Sequence, residues 1–370
     1  KTAYELMPSL VGSEMCIRDR SCIPCTPAHD TRIRVLYDFI ERIVPVKDRH
    51  GPTARARLTS KDTGNRQHFL ETRSAARIHS RAMTLEINPL DAALGAQVRG
   101  VHLDSKVPAA DFDLIAEALI NHHVLVFPEQ DISEAEQVGF SRKFGELEIH
   151  PSEAHRSSIQ PEIYRVANVG EDGRIFPVKS YDARYLTGTR IWHTDSSFRA
   201  IPSLGSVLRA VEVPPAGGET LFCNLHTVYE NLPPELKDIT DRHTAIHSYD
   251  YIQTLVFGDQ AKDFSQQDDL VQQHPLTRSH PVTARRSLYI SPHTISQVVG
   301  LDEADSRAFL DKVYGFASQD QFVYRHTWTQ NDVVMWDNRC TMHAVTPYDS
   351  ARHRRVLLRT TVAGDGPVAR

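Results

Sequence analysis

Five cysteines in 370 residues are too few for a disulfide framework, and three of them, Cys16, Cys22 and Cys25, fall within the first 82 residues. The other two, Cys223 and Cys340, stand alone in the sequence, which points to a reducing cytoplasm. Cys22-Ile23-Pro24-Cys25 has no second pair and no flanking strand–helix–strand pattern, so neither zinc nor redox chemistry follows from it. No apolar run approaches the roughly 20 residues that a membrane span needs. Excess basic charge is lacking as well: the net formal charge is −5, which argues against nucleic acid as the partner. Internal repeats and low-complexity tracts are missing after Met83. The sequence leaves room for a homo-oligomer without pointing to one.

Charge divides the chain. Residues 1–82 hold 15 Lys and Arg against 9 Asp and Glu, whereas 83–370 hold 27 against 38. The run from Leu10 to Arg20 reads as a translated sequencing-library adaptor, and segments of that kind are set aside before fold reasoning. Residues 1–82 are therefore expected to be a non-native, disordered leader, with Met83 as the initiator. The rival reading is a basic extension that binds acidic partners. The 288 residues from Met83 onward suit one enzyme domain whose core needs no disulfide support.

Periodicity outlines that domain. Asp111 to His122 carries apolar residues at helical spacing and runs into a strand, Val124 to Phe127. Ser133-Glu134-Ala135-Glu136 is a capping box that opens a helix to about Phe144. Leu204–Val213, Phe322–Arg325 and Val333–Trp336 read as strands. Leu225–Leu236 reads as a helix broken at Pro233-Pro234, and Asp302–Phe316 as another helix. Tyr249–His280, polar and containing Gln266, Gln267, Gln272 and Gln273, is expected to be a surface insertion. The domain is predicted to be mainly β with flanking helices, of jelly-roll type.

The chemistry is concentrated in His193-Thr194-Asp195 and the distant His343. Ile191 to Asp195 reads as a short strand, and residues two apart on a strand share a face. His193 and Asp195 then reach one metal while Thr194 faces away. Two imidazoles and one carboxylate on one face of a ferrous ion form the ligand set of non-haem Fe(II) oxygenases. Downstream, Cys340 to Val345 reads as a strand carrying His343. Arg355 to Thr361 reads as another, with Arg355, Leu357 and Arg359 on one face. Arginine is costly to bury unless it meets an anion, and its fork grips a carboxylate through two parallel hydrogen bonds. A dicarboxylate beside the metal would satisfy it.

Five blocks then carry a resemblance. They are Phe144-Gly145-Glu146-Leu147, Trp192-His193-Thr194-Asp195-Ser196-Ser197-Phe198 and Pro214-Pro215-Ala216-Gly217-Gly218-Glu219-Thr220. The fourth is Val334-Met335-Trp336-Asp337-Asn338-Arg339 with His343, and the last is Arg354-Arg355-Val356 with Arg359-Thr360-Thr361. In this order they resemble the TauD/TfdA family of taurine and dichlorophenoxyacetate dioxygenases, which depend on Fe(II) and 2-oxoglutarate. The resemblance runs from Met83 to Pro367 and implies a double-stranded β-helix. It implies that His193, Asp195 and His343 hold Fe(II), that Thr220 and Arg355 bind 2-oxoglutarate, and that Arg359 meets the anionic group of the prime substrate. His150 sits where taurine-type members place a substrate-contacting histidine, and Trp192 and Phe198 would wall the pocket.

One spacing departs from the family. Its anchoring arginine lies eleven residues after the distal histidine, which here lands on Arg354. Aligning the downstream strand selects Arg355 instead, with one extra residue in the turn Tyr348–His353. Turns absorb insertions, whereas a one-residue slip in a strand flips every side chain. Arg355 is therefore preferred and Arg354 is the alternative.

The implied reaction consumes 2-oxoglutarate and O2, releases succinate and CO2, and hydroxylates a small anionic substrate. His150 favours a sulfonate of the taurine type, and Ser196-Ser197-Phe198 favours an aryloxyalkanoate. Two rivals use the same residues. A zinc hydrolase would place His193, Asp195 and His343 around a metal-bound water, leaving Thr220 and Arg355 without a role. A non-catalytic 2-oxoglutarate-binding protein would form no product.

Overall fold

Burial on both faces marks the strand Val333–Asp337 as the centre of the architecture, since all five of its residues are buried. Val333 and Met335 belong to one apolar cluster and Val334 and Trp336 to another, as the two-residue period of a strand requires. The computed structural model describes residues 84–150, 155–261 and 270–370. Residues 1–82, Met83, Cys16, Cys22, Cys25, Gln266 and Gln267 lie outside the described residues.

Val333–Asp337 is the fourth of seven strands in the larger sheet. Their spatial order is Glu86–Pro89, Ala96–Arg99, Val124–Phe127, Val333–Asp337, Gly205–Glu212, Val356–Val362 and Tyr164–Ala167. Neighbours run antiparallel except Ala96–Arg99 beside Val124–Phe127. One face packs on the helices Ala109–His122 and Glu134–Ser141 through Ile115, Leu119 and Phe140. The other face meets a three-stranded antiparallel sheet ordered Val323–His326, Thr220–Asn224, Thr341–Val345. Phe222 of the smaller sheet and Trp336 of the larger lie with ring centroids 5.4 Å apart. The outer face of the smaller sheet offers Cys223 and Met342 to Phe309, Leu310 and Val313 of the helix Glu303–Ala317. The protein is mostly β with helices outside.

Several expectations shift. The capping-box helix stops at Ser141, whose hydroxyl donates to Gln137 O and meets Thr360 Oγ1 at 2.6 Å. Residues 191–195 are not a strand; His193 makes one isolated bridge to His343. Tyr249–His280 is not a surface insertion. It contains the helix Tyr249–Phe257 and the strands Val271–Pro275 and Thr277–Ser279. Ile252, Gln253, Leu276, Arg278 and His280 are buried there. Its polarity misled because some of its polar side chains face inward to partners: His280 Nε2 lies 3.0 Å from Asp337 Oδ2. Cys223 and Cys340 are buried free thiols. Among the described residues no helix is long and apolar enough to cross a membrane.

Candidate metal and co-substrate site

One antiparallel bridge brings the two histidines together. His193 N–H donates to His343 O at 2.9 Å, and His343 N–H donates to His193 O at 2.8 Å. Directly opposed residues project their side chains to the same side, and the two rings lie 4.1 Å apart. His343 faces between the sheets, against Phe222 and Trp336, because Met342 faces out. Asp195 follows His193 by two residues. Asn338 fixes it: Asp195 N–H donates to Asn338 Oδ1 at 2.9 Å, and Asn338 Nδ2 donates to Asp195 O at 2.8 Å. Thr194 faces away, bonding Ile290 O and Thr341 O.

The candidate ligand atoms of His193, Asp195 and His343 lie within 4.8 Å of one another, and all three residues are buried. These donors fit a metal. His193 Nδ1 donates to Ile191 O at 2.8 Å, so its Nε2 keeps a lone pair. His343 Nδ1 is buried with no hydrogen-bond partner among the described residues. Burial pushes both imidazoles below the ordinary histidine range, and so keeps them neutral for coordination. Burial also works to raise the carboxyl of Asp195. The charge of Arg359, then the two imidazoles and the Ser206 hydroxyl, overcome it and hold the group well below the usual carboxylate range. Asp195 Oδ1 accepts from Arg359 Nη1 at 2.6 Å and Oδ2 from Ser206 Oγ at 2.8 Å.

Beside this triad lies a cavity of about 130 Å3, lined by Thr220, Arg355, Arg359, His150 and Phe198 among others. Arg355 is 4% exposed. Its N–H donates to Asn168 Oδ1 and its Nε to Gly218 O at 3.0 Å. Gly218 has φ +74°, and a Cβ there would press within 3.1 Å of the Arg355 stem. The Nη2 of Arg355 is buried with no partner among the described residues, and burial pushes the guanidinium down to about 10. Thr220 accepts from Trp328 Nε1 at 2.9 Å, which leaves its own proton to donate. Arg354 lies outside this cavity. It is exposed and grips Glu212 with both Nε (2.6 Å) and Nη2 (2.7 Å).

The remaining wall is aromatic. Arg359 lies over the Tyr164 ring at 4.8 Å, and His150 stacks on that ring at 4.2 Å and 17°. Phe198 meets Tyr249 at 5.1 Å. Trp192 does not line the cavity. It packs in the cluster around Leu225 and Phe309. Sequence reasoning passed over Glu148, Tyr164, Tyr185, Arg199 and His293, which also line the cavity. Ser196 Oγ donates to Glu148 Oε2 at 2.8 Å, and burial raises the carboxyl of Glu148. Tyr164 alone carried a local signal, the inward alternation with Val166 on the strand Tyr164–Ala167.

The chain is similar to known dioxygenases. The profile of the taurine catabolism dioxygenase TauD, TfdA family matches residues 86–361. An (S)-phenoxypropionate/alpha-ketoglutarate-dioxygenase from Sphingobium herbicidovorans is 34% identical over 76% of this chain and 95% of its own length. An alpha-ketoglutarate-dependent 2,4-dichlorophenoxyacetate dioxygenase from Cupriavidus pinatubonensis is 34% identical over 77% of this chain and all of its own. Among solved structures, AAD-2 in complex with Mn(II) and N-oxalylglycine superposes with a TM-score of 0.71 at 33% identity, covering 78% of this chain and 100% of that one.

Proposed function

The chain belongs to the TauD/TfdA dioxygenase family, and from that premise we propose that it is an Fe(II)- and 2-oxoglutarate-dependent dioxygenase hydroxylating a small anionic organic substrate, a sulfonate or an aryloxy or alkyl carboxylate. Succinate and CO2 are the co-products. We read the two facing sheets as the family's double-stranded β-helix. The observation that carries the proposal is Arg355, a buried guanidinium with an unpartnered Nη2 in the same cavity as His193, Asp195 and His343. A dicarboxylate gives that guanidinium its acceptors and shares the cavity with the metal.

Fe(II) bound to the triad supplies dioxygen activation and the oxidative decarboxylation that is coupled to C–H hydroxylation. His193, Asp195 and His343 would hold it. Thr220 donates its hydroxyl proton to 2-oxoglutarate, and Arg355 anchors the far carboxylate. Arg359 receives the substrate anion, with His150 and Phe198 beside it. Val166, Leu208 and Trp336 line the same cavity and keep it dry. The bed of Tyr164, Tyr185, Phe198 and Tyr249 favours an aryloxyalkanoate, the class named for the phenoxypropionate and dichlorophenoxyacetate relatives.

Anaerobic titration of the chain with Fe(II) and then 2-oxoglutarate tests the reading. A visible iron-to-ketoacid charge-transfer band is expected, followed in air by succinate and a hydroxylated product from phenoxyacetate. Folded, metal-loaded protein without the band would favour a zinc hydrolase. A band without any succinate would favour a non-catalytic binder.

A further inference from the structure

Arg359 is asked to do two things at once. It faces the cavity that takes the substrate anion, yet its Nη1 already donates to Asp195 Oδ1 at 2.6 Å. Ser206 Oγ occupies the other oxygen at 2.8 Å. The guanidinium sits over the Tyr164 ring at 4.8 Å, and His150 stacks on that ring. The Arg359 Nε is buried with no partner among the described residues, so not every donor of this cavity-lining side chain is matched.

We propose that Arg359 is a positioning residue shared between Asp195 and the prime-substrate anion, so that metal and anion bind cooperatively. This rests on the metal reading above. A cation on either oxygen of Asp195 repels the guanidinium and weakens its hold, so the sign of the coupling does not depend on which oxygen the metal takes. An anion on Arg359 neutralises it and returns the full donor strength of Asp195 to the metal. The arrangement favours a metal held tightly once the substrate is in place. Coupling of this kind is reciprocal: the factor by which the anion tightens the metal equals the factor by which the metal tightens the anion.

Calorimetric titration of the full chain with Mn(II), without 2-oxoglutarate and without turnover, tests this. Saturating phenoxyacetate is expected to tighten Mn(II) about tenfold, within the usual range of site–site coupling, and Mn(II) to tighten phenoxyacetate equally. Arg359→Gln should bind Mn(II) several-fold more tightly than wild type in the absence of any anion, and should show no coupling. Arg359→Met, which keeps the stem on Tyr164, carries the same expectation and serves if the glutamine variant does not fold. Arg355→Gln removes an equal charge that does not touch Asp195, so its Mn(II) affinity should shift far less. Arg354→Gln, outside the cavity, should keep wild-type coupling. The proposal is overturned if the Mn(II) affinity of wild type is the same with and without phenoxyacetate, if Arg359→Gln binds Mn(II) no better than wild type, or if Arg355→Gln shifts it as much. If wild type binds no Mn(II), or binds it as well after Asp195→Ala, the metal reading itself has failed and takes this one with it.

Discussion

A buried guanidinium with an unmatched donor is costly, and Arg355 carries one beside three candidate metal ligands. Removing one partner of a buried charge pair costs about 2–5 kcal/mol. Arg355→Ala is therefore expected to weaken 2-oxoglutarate at least tenfold in an anaerobic absorbance titration. Arg354→Ala breaks the exposed pair with Glu212 and a hydrogen bond to Gly173 O, both outside the cavity, and should leave that affinity nearly unchanged. The reverse order would place the anchor on Arg354. Asp195→Ala removes the only carboxylate in the triad and should abolish Mn(II) binding and turnover together. Intact metal affinity in that variant would remove Asp195 from the ligand set.

At the scale of elements, the site depends on a polar turn as much as on strands. Asn338 sits just past the strand Val333–Asp337 and bonds both sides of the Asp195 backbone, while Asp337 behind it is held by Arg339 and His280. Asn338→Ala strands the Asp195 N–H, while Asp195 O keeps the Ser203 hydroxyl, and should cost about 1–3 kcal/mol in denaturant unfolding, with Mn(II) affinity falling in parallel. Unchanged metal affinity at reduced stability would confine Asn338 to a structural role. This clamp was not legible in the sequence, because its partners are 143 residues apart and nothing local to Asn338 names Asp195. What was legible obeyed short periods. Arg355, Leu357 and Arg359 share a face because strand residues alternate, whereas Val356 and Leu358 pack outward. The segment 191–195 misled because its β-branched and aromatic residues read as a strand, while the chain needed only one bridge there.

For the whole molecule, acid is the informative stress. His123 and His226 lie buried with ring centroids 5.1 Å apart, and burial pushes them from 6.5 down to about 3 and about 4. Unfolding lets both take up protons near 6.5, which the folded state refuses. Their contribution to stability is thus complete above pH 6.5 and is lost as pH falls from there toward 4. Each histidine adds a slope of about 1.4 kcal/mol per pH unit over that window. Denaturant midpoints measured across it should fall steeply in wild type and less steeply in His226→Gln. Identical slopes would mean that His226 is protonated in the folded state. Most of the fold was readable because a two-sided apolar strand such as Val333–Asp337 demands a layer on each face. The inward turn of Tyr249–His280 was not, because its buried polar residues find partners far away in the chain.

The origins of the cavity walls have a consequence for how such a protein changes. His343, Thr220, Arg355 and Arg359 stand on or next to strands of the two facing sheets. Glu148, His150, Tyr185, Phe198, Tyr249 and Ile252 come from connecting segments and short helices outside those sheets. His193 and Asp195 share a connecting segment with Phe198, and Arg359 stands on a strand, so these six residues form a peripheral part of the wall that carries neither a candidate metal ligand nor a co-substrate contact. A mutational library confined to those six positions would sample new appetites without touching the engine, so diversification within one scaffold can proceed by exchange of its periphery alone.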